Sequence, residues 1–444
     1  MTVLLGATLG AHTIAAASSL ESTARELFNT GDYAAVTALY QTQPPGTALS
    51  AEFLRLAFMS YVRLGRPNEA LSIYTQLIQP GQPNDPTLLR PLAIAVLTSH
   101  VRDPNEQVRI AAYTALAELG LPETIPILED GLLDSAIPVR ARAIEAMGKA
   151  GVAKHSGPLR RALSDPAPTV RIAVINVLGE AKAQDTVPYL LEISRKEDGP
   201  ESVFADAALY RMGRTDKLAA IMSAATLPDP DLRMAAIGVL GRLKHPSSLA
   251  ILKRAVYDPL PSVRAFAAGA LGEFGSPEGA SALLHAIGDE SAMVRGTAAA
   301  SLGKLGALDN RPVLQALTRD ANWQVRAGAV EGLFRLGDLS ALPFAIALAR
   351  HADPFARGAA AHVLGLLPLS SNAQARDVLE TLLQDQVPYP RLMAAKALGN
   401  SSDQALPLLL KTLRDSDATV RIAAATSMLR LLERPLSRRQ AIKN

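Results

Sequence analysis

The sequence of 444 residues contains no cysteine, one tryptophan and only 4% aromatic residues. The missing thiols exclude a disulfide framework, a thiolate-held zinc or iron–sulfur centre, and a cysteine nucleophile. They leave the compartment open, because a thiol-free protein suits reducing and oxidising surroundings alike. Charge of one sign is scarce as well: 45 Lys and Arg against 42 Asp and Glu give a net +3. Only a clustered patch could then draw nucleic acid or an anionic membrane. Several catalytic signatures are missing too. There is no His-Glu dipeptide, no HExxH, no GxSxG elbow and no Gly-rich phosphate loop ending in Lys-Ser or Lys-Thr. What the chain does have is 48% hydrophobic and 20% charged residues, enough for a large core and incompatible with general disorder. Length alone suggests about three ordinary domains.

The first twenty residues carry no Asp, Glu, Lys or Arg, and Val3 to Ala17 are mostly apolar or small. Ala15-Ala16-Ala17 before Ser18-Ser19 fits a small-residue signal-peptidase site, so residues 1–19 read as a signal peptide and the protein as exported, in the bacterial periplasm. The run lacks a leading Lys or Arg, which keeps open an apolar first helix packed on the next one, in a cytoplasmic protein. A permanent membrane span is not expected, because Gly6, Thr8, Gly10, His12 and Thr13 dilute a stretch barely long enough to cross.

A repeat organises the rest. Arginines stand at Arg109, Arg140, Arg171, Arg233, Arg264, Arg295, Arg326, Arg357, Arg391 and Arg421, mostly 31 residues apart. Ser202 fills the one vacant place, so there are eleven units. Three residues after the anchor comes Ala (Val174 once), and seven after it always Leu or Met, from Leu116 to Met428. Positions 0, +3 and +7 share one helix face. Gly follows at +8 in most units, a helix-weakening choice that close packing of neighbouring helices explains. A second apolar segment precedes each anchor, so each unit is helix, turn, helix.

The turn carries an Asp six residues before the anchor, at Asp103, Asp134, Asp165, Asp258, Asp289, Asp320, Asp385 and Asp415. In three units it stands four before, at Asp198, Asp229 and Asp353. Such an Asp can accept backbone N–H groups at the helix start and reach an Arg of the same or the neighbouring unit. The recurring Asp and Arg thus predict a structural ladder rather than paired catalytic carboxylates.

The pattern Asp-Pro-x-x-x-Val-Arg-x-x-Ala-x-x-x-Leu-Gly at this period resembles the HEAT repeat of the phycobilisome-lyase-like type. The resemblance covers residues 86–444 and implies an all-α, right-handed α-solenoid whose second helices line a concave face. Residues 20–79 resemble tetratricopeptide repeats instead, through Gly31-Asp32-Tyr33 and Gly65-Arg66-Pro67, 34 residues apart, and Leu54, Ala57, Tyr61, Ala70 and Tyr74. Phe58 departs from that pattern, which has Gly there. Gln79 to Pro86 reads as the junction.

On the second helix, positions +2, +5 and +9 should face the concavity. The +9 column alternates in sign, as a solvated rim does. The +5 column is small and uncharged in the middle units, beside Phe204 and Phe266 at +2. This predicts either a shallow apolar trough for a partner's helix or extended segment, or two Phe packed between adjacent helices. Trp323, three residues before Arg326, reads as a capping-turn residue or an exposed anchor; Glu331 and His362 at +5 complete the candidate protein-binding set. No cofactor, metal or catalytic residue is assigned. The expected function is a non-catalytic scaffold or adaptor for one or more proteins, without nucleic acid. The alternative, implied by the resemblance, is a bilin-lyase-like subunit that assists chromophore attachment to another protein.

Overall fold

The computed structural model describes residues 19–78, 84–196, 199–401 and 403–433, and these contain helices and turns but no strand. Most of the expected signal peptide (1–18), the middle of the junction, Asp198 and the basic residues from 434 onward lie outside the described residues. Two helical hairpins come first: a helix over 19–29 with Tyr33–Gln41, then Ala51–Arg63 with Pro67–Leu77. Gly31 and Gly65 turn them at φ +82° and +66°, a region costly for any side chain. The first hairpin closes a small core against the second, around Ala24, Val36 and Phe53. The second merges with the repeats: Phe58, Tyr61 and Tyr74 are buried in their core. The Tyr74 hydroxyl also donates to Asn84 Oδ1 and accepts from the Asp85 N–H, both at 3.3 Å.

Eleven helix pairs follow. Pro opens many of the helices, as at Pro168, Pro230, Pro261 and Pro354, in the first turn where no N–H is needed. The +3 and +7 positions are buried throughout, for example Ala267 and Leu271 or Ala298 and Leu302. The recurring Gly meets the +6 residue of the next unit. A Cβ on Gly179 would stand 2.6 Å from Ala208 Cβ, one on Gly272 2.7 Å from Ser301 Oγ, and one on Gly365 2.8 Å from Ala397 Cβ. Second helices therefore pack directly on one another along the chain. Their close spacing turns the row inward and leaves the first helices outside.

The row does not end as an open arc. The last second helix, Ala418–Leu432, packs against Pro86–Ser99 and Glu106–Leu119, the two helices of the first unit. Ile422, Ala423 and Thr426, on the side that would otherwise be free, are buried there. Polar contacts seal the rim: Arg430 reaches Glu118 at 2.6 Å, Lys396 the same carboxylate at 3.5 Å, and Arg90 reaches Glu433 at 3.5 Å. The solenoid is a closed ring. With inner helices ~9 Å apart, eleven of them give an inner circumference on the order of 100 Å. Eleven repeats account for that length, but nothing in their columns says that the ends meet.

The ladder runs between units, always forward. Arg109 holds Asp134, Arg140 holds Asp165, Arg233 holds Asp258, Arg264 holds Asp289, Arg295 holds Asp320, Arg357 holds Asp385 and Arg391 holds Asp415, at 2.6–3.1 Å. The guanidinium Nε and Nη2 grip the carboxylate while Nη1 donates to carbonyls of the Arg's own turn, as in Arg264 to Asp258 and Pro259. The Asp in turn accepts an N–H of its own turn, Asp289 from Ser291 for instance. One rung thus ties two turns with charge-assisted bonds.

Four predicted members depart from this pattern. Arg171 pairs with Glu201 rather than an Asp. Arg326 donates only to the carbonyls of Asp320 and Ala321, because His351 occupies the place of the next Asp. The Asp103 carboxylate accepts the N–H of Asn105 and receives no ladder arginine, while its carbonyl accepts from Arg109 Nη1. Arg421 crosses the ring seam to His100 Nε2 at 3.1 Å, three residues short of Asp103. His100 Nδ1 faces the Val96 carbonyl at 2.7 Å, so that nitrogen carries the proton and Nε2 is the acceptor.

These pairs make stability depend on acid. Asp289 and Asp385 are held below the ordinary carboxylate range foremost by the hydrogen bonds from Arg264 and Arg357. At Asp134, Asp165 and Asp320 burial pushes upward, but the Arg bond, the turn N–H and two arginine charges together outweigh it. A carboxyl depressed on folding contributes stability above its unfolded pKa near ~4 and loses it as the pH falls through the folded value. The thermal midpoint should accordingly be level from pH ~7 to ~5.5 and fall steeply below ~4. A midpoint that stays level down to pH ~3 would remove the ladder from the stability account.

Candidate functional site

The concave side of the ring carries two adjoining troughs and one charged cavity. The first trough, about 570 Å³, lies over the second helices of units five to seven, Pro230–Leu243, Pro261–Phe274 and Ala292–Lys304. Gly238 and Gly269 form its floor, with Phe266, Met293 and Arg242 at its sides. The second, about 450 Å³, continues it into units eight and nine and shares Gly269, Met293, Thr297 and Lys304 with the first. Trp323, Glu331 and His362 line its far end.

Phe266 is 45% exposed, and Met293 is 48% exposed. The ring of Phe266 lies over Gly238 of the preceding unit, where a Cβ would come within 2.9 Å of Cε1. A small residue at that +5 place is thus what seats the aromatic ring. Phe204 parts company with it. It is half-buried and lines the separate cavity of about 580 Å³ near units one to five, with Glu118, Glu145, Lys149 and Glu180. The two therefore differ: Phe266 packs on a neighbouring helix and still shows its face, while Phe204 borders charge.

Trp323 opens the helix Trp323–Arg335, where Asn322 is the capping residue, and packs partly against the core. Glu331 is held by Arg335, whose Nε lies at 3.0 Å, and stands 3.8 Å from His362 Nε2. His362 is exposed at the trough edge. Arg242 borders both the first trough and the charged cavity.

One cluster escaped the sequence reading. In unit four, whose anchor is Ser202, the buried +4 residue is Asp206 where the other units have apolar residues or, once, Tyr113. Ser194 Oγ donates to Asp206 Oδ1 at 2.6 Å and accepts from Lys217 Nζ at 2.6 Å, and Lys217 stands 3.2 Å from Asp206. A Ser–Lys contact of this kind can generate a nucleophile. Here the Ser proton points to the carboxylate, the carboxylate pairs with the ammonium, and Ser194 is only 5% exposed. The cluster joins unit five to unit four across the vacant rung and is structural. The only signal for it is a charged residue in an otherwise apolar column.

Among the described residues no three His, Asp or Glu side chains are placed to hold a metal, and no helix is long and apolar enough to cross a membrane. HEAT repeats match residues 86–137, 132–209, 253–318, 310–399 and 376–434, more than half of the chain. No curated protein matches the sequence. Among solved structures the chain is similar to the complex of CpcE and CpcF of phycocyanin lyase from Nostoc sp., at 19% identity over 60% of this chain and 95% of that one, TM-score 0.33. Human deoxyhypusine hydroxylase in complex with glycerol aligns at 18% identity over 70% of this chain and 99% of that one, TM-score 0.31. Kap121p bound to Pho4p aligns at 15% identity over 86% and 54%, TM-score 0.36. None of these likenesses bears on the site.

Proposed function

Since this chain belongs to the HEAT-repeat family, we propose that it is a non-catalytic scaffold that receives a segment of another protein in the lumen of its ring. The observation that carries this reading is the pair of adjoining troughs, floored by glycine and flanked by half-exposed Phe266 and Met293. Apolar side chains held open on a rigid inner wall, in a continuous channel rather than an enclosed cavity, suit an extended or helical partner segment. The hairpins over residues 19–77 supply a second surface beside the ring.

Affinity capture of the tagged chain from its host, with intact masses and an absorbance spectrum of the eluate, tests the reading. A colourless stoichiometric partner is expected with the wild type. Phe266→Ser should lower its recovery about tenfold, the loss of ~1.5 kcal/mol of apolar contact, with the helical signal unchanged. Equal recovery with the variant would retire the trough. A coloured eluate would move the assignment to a lyase-like subunit. We assign the protein to the periplasm on its uncharged apolar run from Val3 to Ala17; cell fractionation with N-terminal sequencing checks this, and a chain retaining Met1 in the cytoplasm would overturn it.

A further inference from the structure

Most cations of the inner rim are spoken for. Lys304 faces Glu273, Arg335 faces Glu331, and Lys396 and Arg430 share Glu118. Lys149, Arg211 and Arg242, all at the +9 place, have no ion pair among the described residues, and the two arginines stand on neighbouring second helices. Arg211 Nη1 is buried and donates to no acceptor. A buried donor left without an acceptor is costly, and a charge-assisted bond to a carboxylate removes that cost once the Arg211 side chain turns outward to meet it. Loss of water foremost, and then the Arg242 charge, push the Arg211 pKa down, while Glu180 alone pulls it back. Glu180 acts on Arg211 by charge without a hydrogen bond, and it lines the charged cavity with Arg242. The Arg242 Nη1 lies back over Gly238, 3.7 Å from where a Cβ would be, beside the edge of Phe266. The unpaired Arg242 therefore stands at the mouth of the apolar trough, and the unpaired Arg211 lies beside it on the preceding second helix, near enough for the two charges to act on each other.

We propose that Arg211 and Arg242 receive a carboxylate, and that the occupant of the trough is an acidic segment of a partner polypeptide whose neighbouring apolar side chain rests on Phe266 and Met293. The assignment rests on the lumen-binding reading above and adds the chemistry of what binds. Charge complementarity selects an anion. The length of the trough, which runs on from unit five to unit nine, selects a chain over a compact small molecule.

Trp323, the one tryptophan, lines the same channel and reports on its occupancy. The test titrates the full chain with a tryptophan-free hexapeptide of alternating Leu and Asp, its Leu–Asn counterpart, and octanoate, following Trp323 emission. The proteins are wild type, Arg211→Gln with Arg242→Gln, and Phe266→Ser, each checked for unchanged helical circular dichroism. The Asp peptide should bind the wild type at least tenfold more tightly than the Asn peptide. That preference should vanish in the double Arg variant, while Phe266→Ser weakens both peptides. Equal binding of the two peptides, lost only with Phe266→Ser, would overturn the anion pair and leave the lumen reading standing. Octanoate binding as tightly as the Asp peptide with the same Arg dependence would assign the site to free carboxylic acids and overturn the polypeptide occupant. No response to any probe, together with partner capture indifferent to Phe266→Ser, would overturn both readings.

Discussion

Gly303→Ala is expected to destabilise the ring strongly for a single added methyl group. The helices Ala292–Lys304 and Trp323–Arg335 meet glycine on glycine, and the Cβ of an alanine at 303 would stand 2.5 Å from the Gly332 carbonyl oxygen and closer still to its Cα. The obstructing atoms are backbone, so no rotamer change can relieve them. Gly328, whose Cβ would run into the Gly296 backbone, locks the same pair one turn earlier. Overpacking a core costs about 1–3 kcal/mol and more where nothing can move, against roughly 1 kcal/mol that alanine offers a helix over glycine. The net effect should therefore be a loss of about 2 kcal/mol, the upper end of that difference, because the obstructing atoms are backbone. Gly269→Ala is the control, since its Cβ would meet only Thr297 Cγ2 at an ordinary 3.6 Å on the open trough floor. That variant should be neutral or more stable by up to ~1 kcal/mol. Trp323 begins one of the two helices, so its emission during urea unfolding reads the damaged contact directly. A Gly303→Ala midpoint at or above that of the wild type would show that the two helices can part without loss.

The second large effect concerns the cluster in unit four. Lys217→Met leaves Asp206, 7% exposed, facing apolar neighbours with only Ser194 as a donor. Breaking a buried pair from one side costs about 3–5 kcal/mol because the remaining charge is uncompensated. Asp206→Ile should cost less, because the Lys217 side chain is 18% exposed and its ammonium can turn toward water. Converting all three together, with Ser194→Ala, gives the site the apolar character of the other units and should restore wild-type stability or exceed it by ~1–4 kcal/mol. Chemical unfolding of the three proteins side by side checks the order. If Lys217→Met proves the mildest, the cluster is solvated in solution and the account of its burial fails.

How far the sequence speaks differs from feature to feature. The helix pairs, the inner stripe from Ala112 and Leu116 onward, and the forward reach of most arginines are local consequences of a 31-residue period, and they are legible as columns. The packing of Gly303 on Gly332 is legible too, once +8 of one unit is set against +6 of the next. Ring closure is not. It depends on the small rotation between successive units, accumulated eleven times, and no single residue encodes that sum. The seam bears this out in detail: Arg421 finds His100, a residue outside every column, instead of the Asp103 that strict repetition offers. Columns also hide their exceptions. Asp206 looks like one irregular residue among eleven until Ser194 and Lys217, from other helices, are seen beside it. Phe204 and Phe266 occupy the same +2 column, yet neighbouring side chains give one a charged surround and the other a glycine floor.

The seam between Arg421 and His100 also sets an order of events during synthesis. The partner of the first repeat is the last repeat, and 321 residues separate them. At the ~5–20 residues per second of translation, the face of Pro86–Ser99 that Ala418–Leu432 covers stays bare for roughly 15–60 s after it leaves the ribosome. During that interval the helix has the preceding hairpin and its own repeat partner beside it, but not the helix that contacts it most extensively. A chain arrested before its final helix is thus not a shorter version of the same object but an adhesive one, and nascent-chain chaperones should crosslink to that helix until the circle shuts.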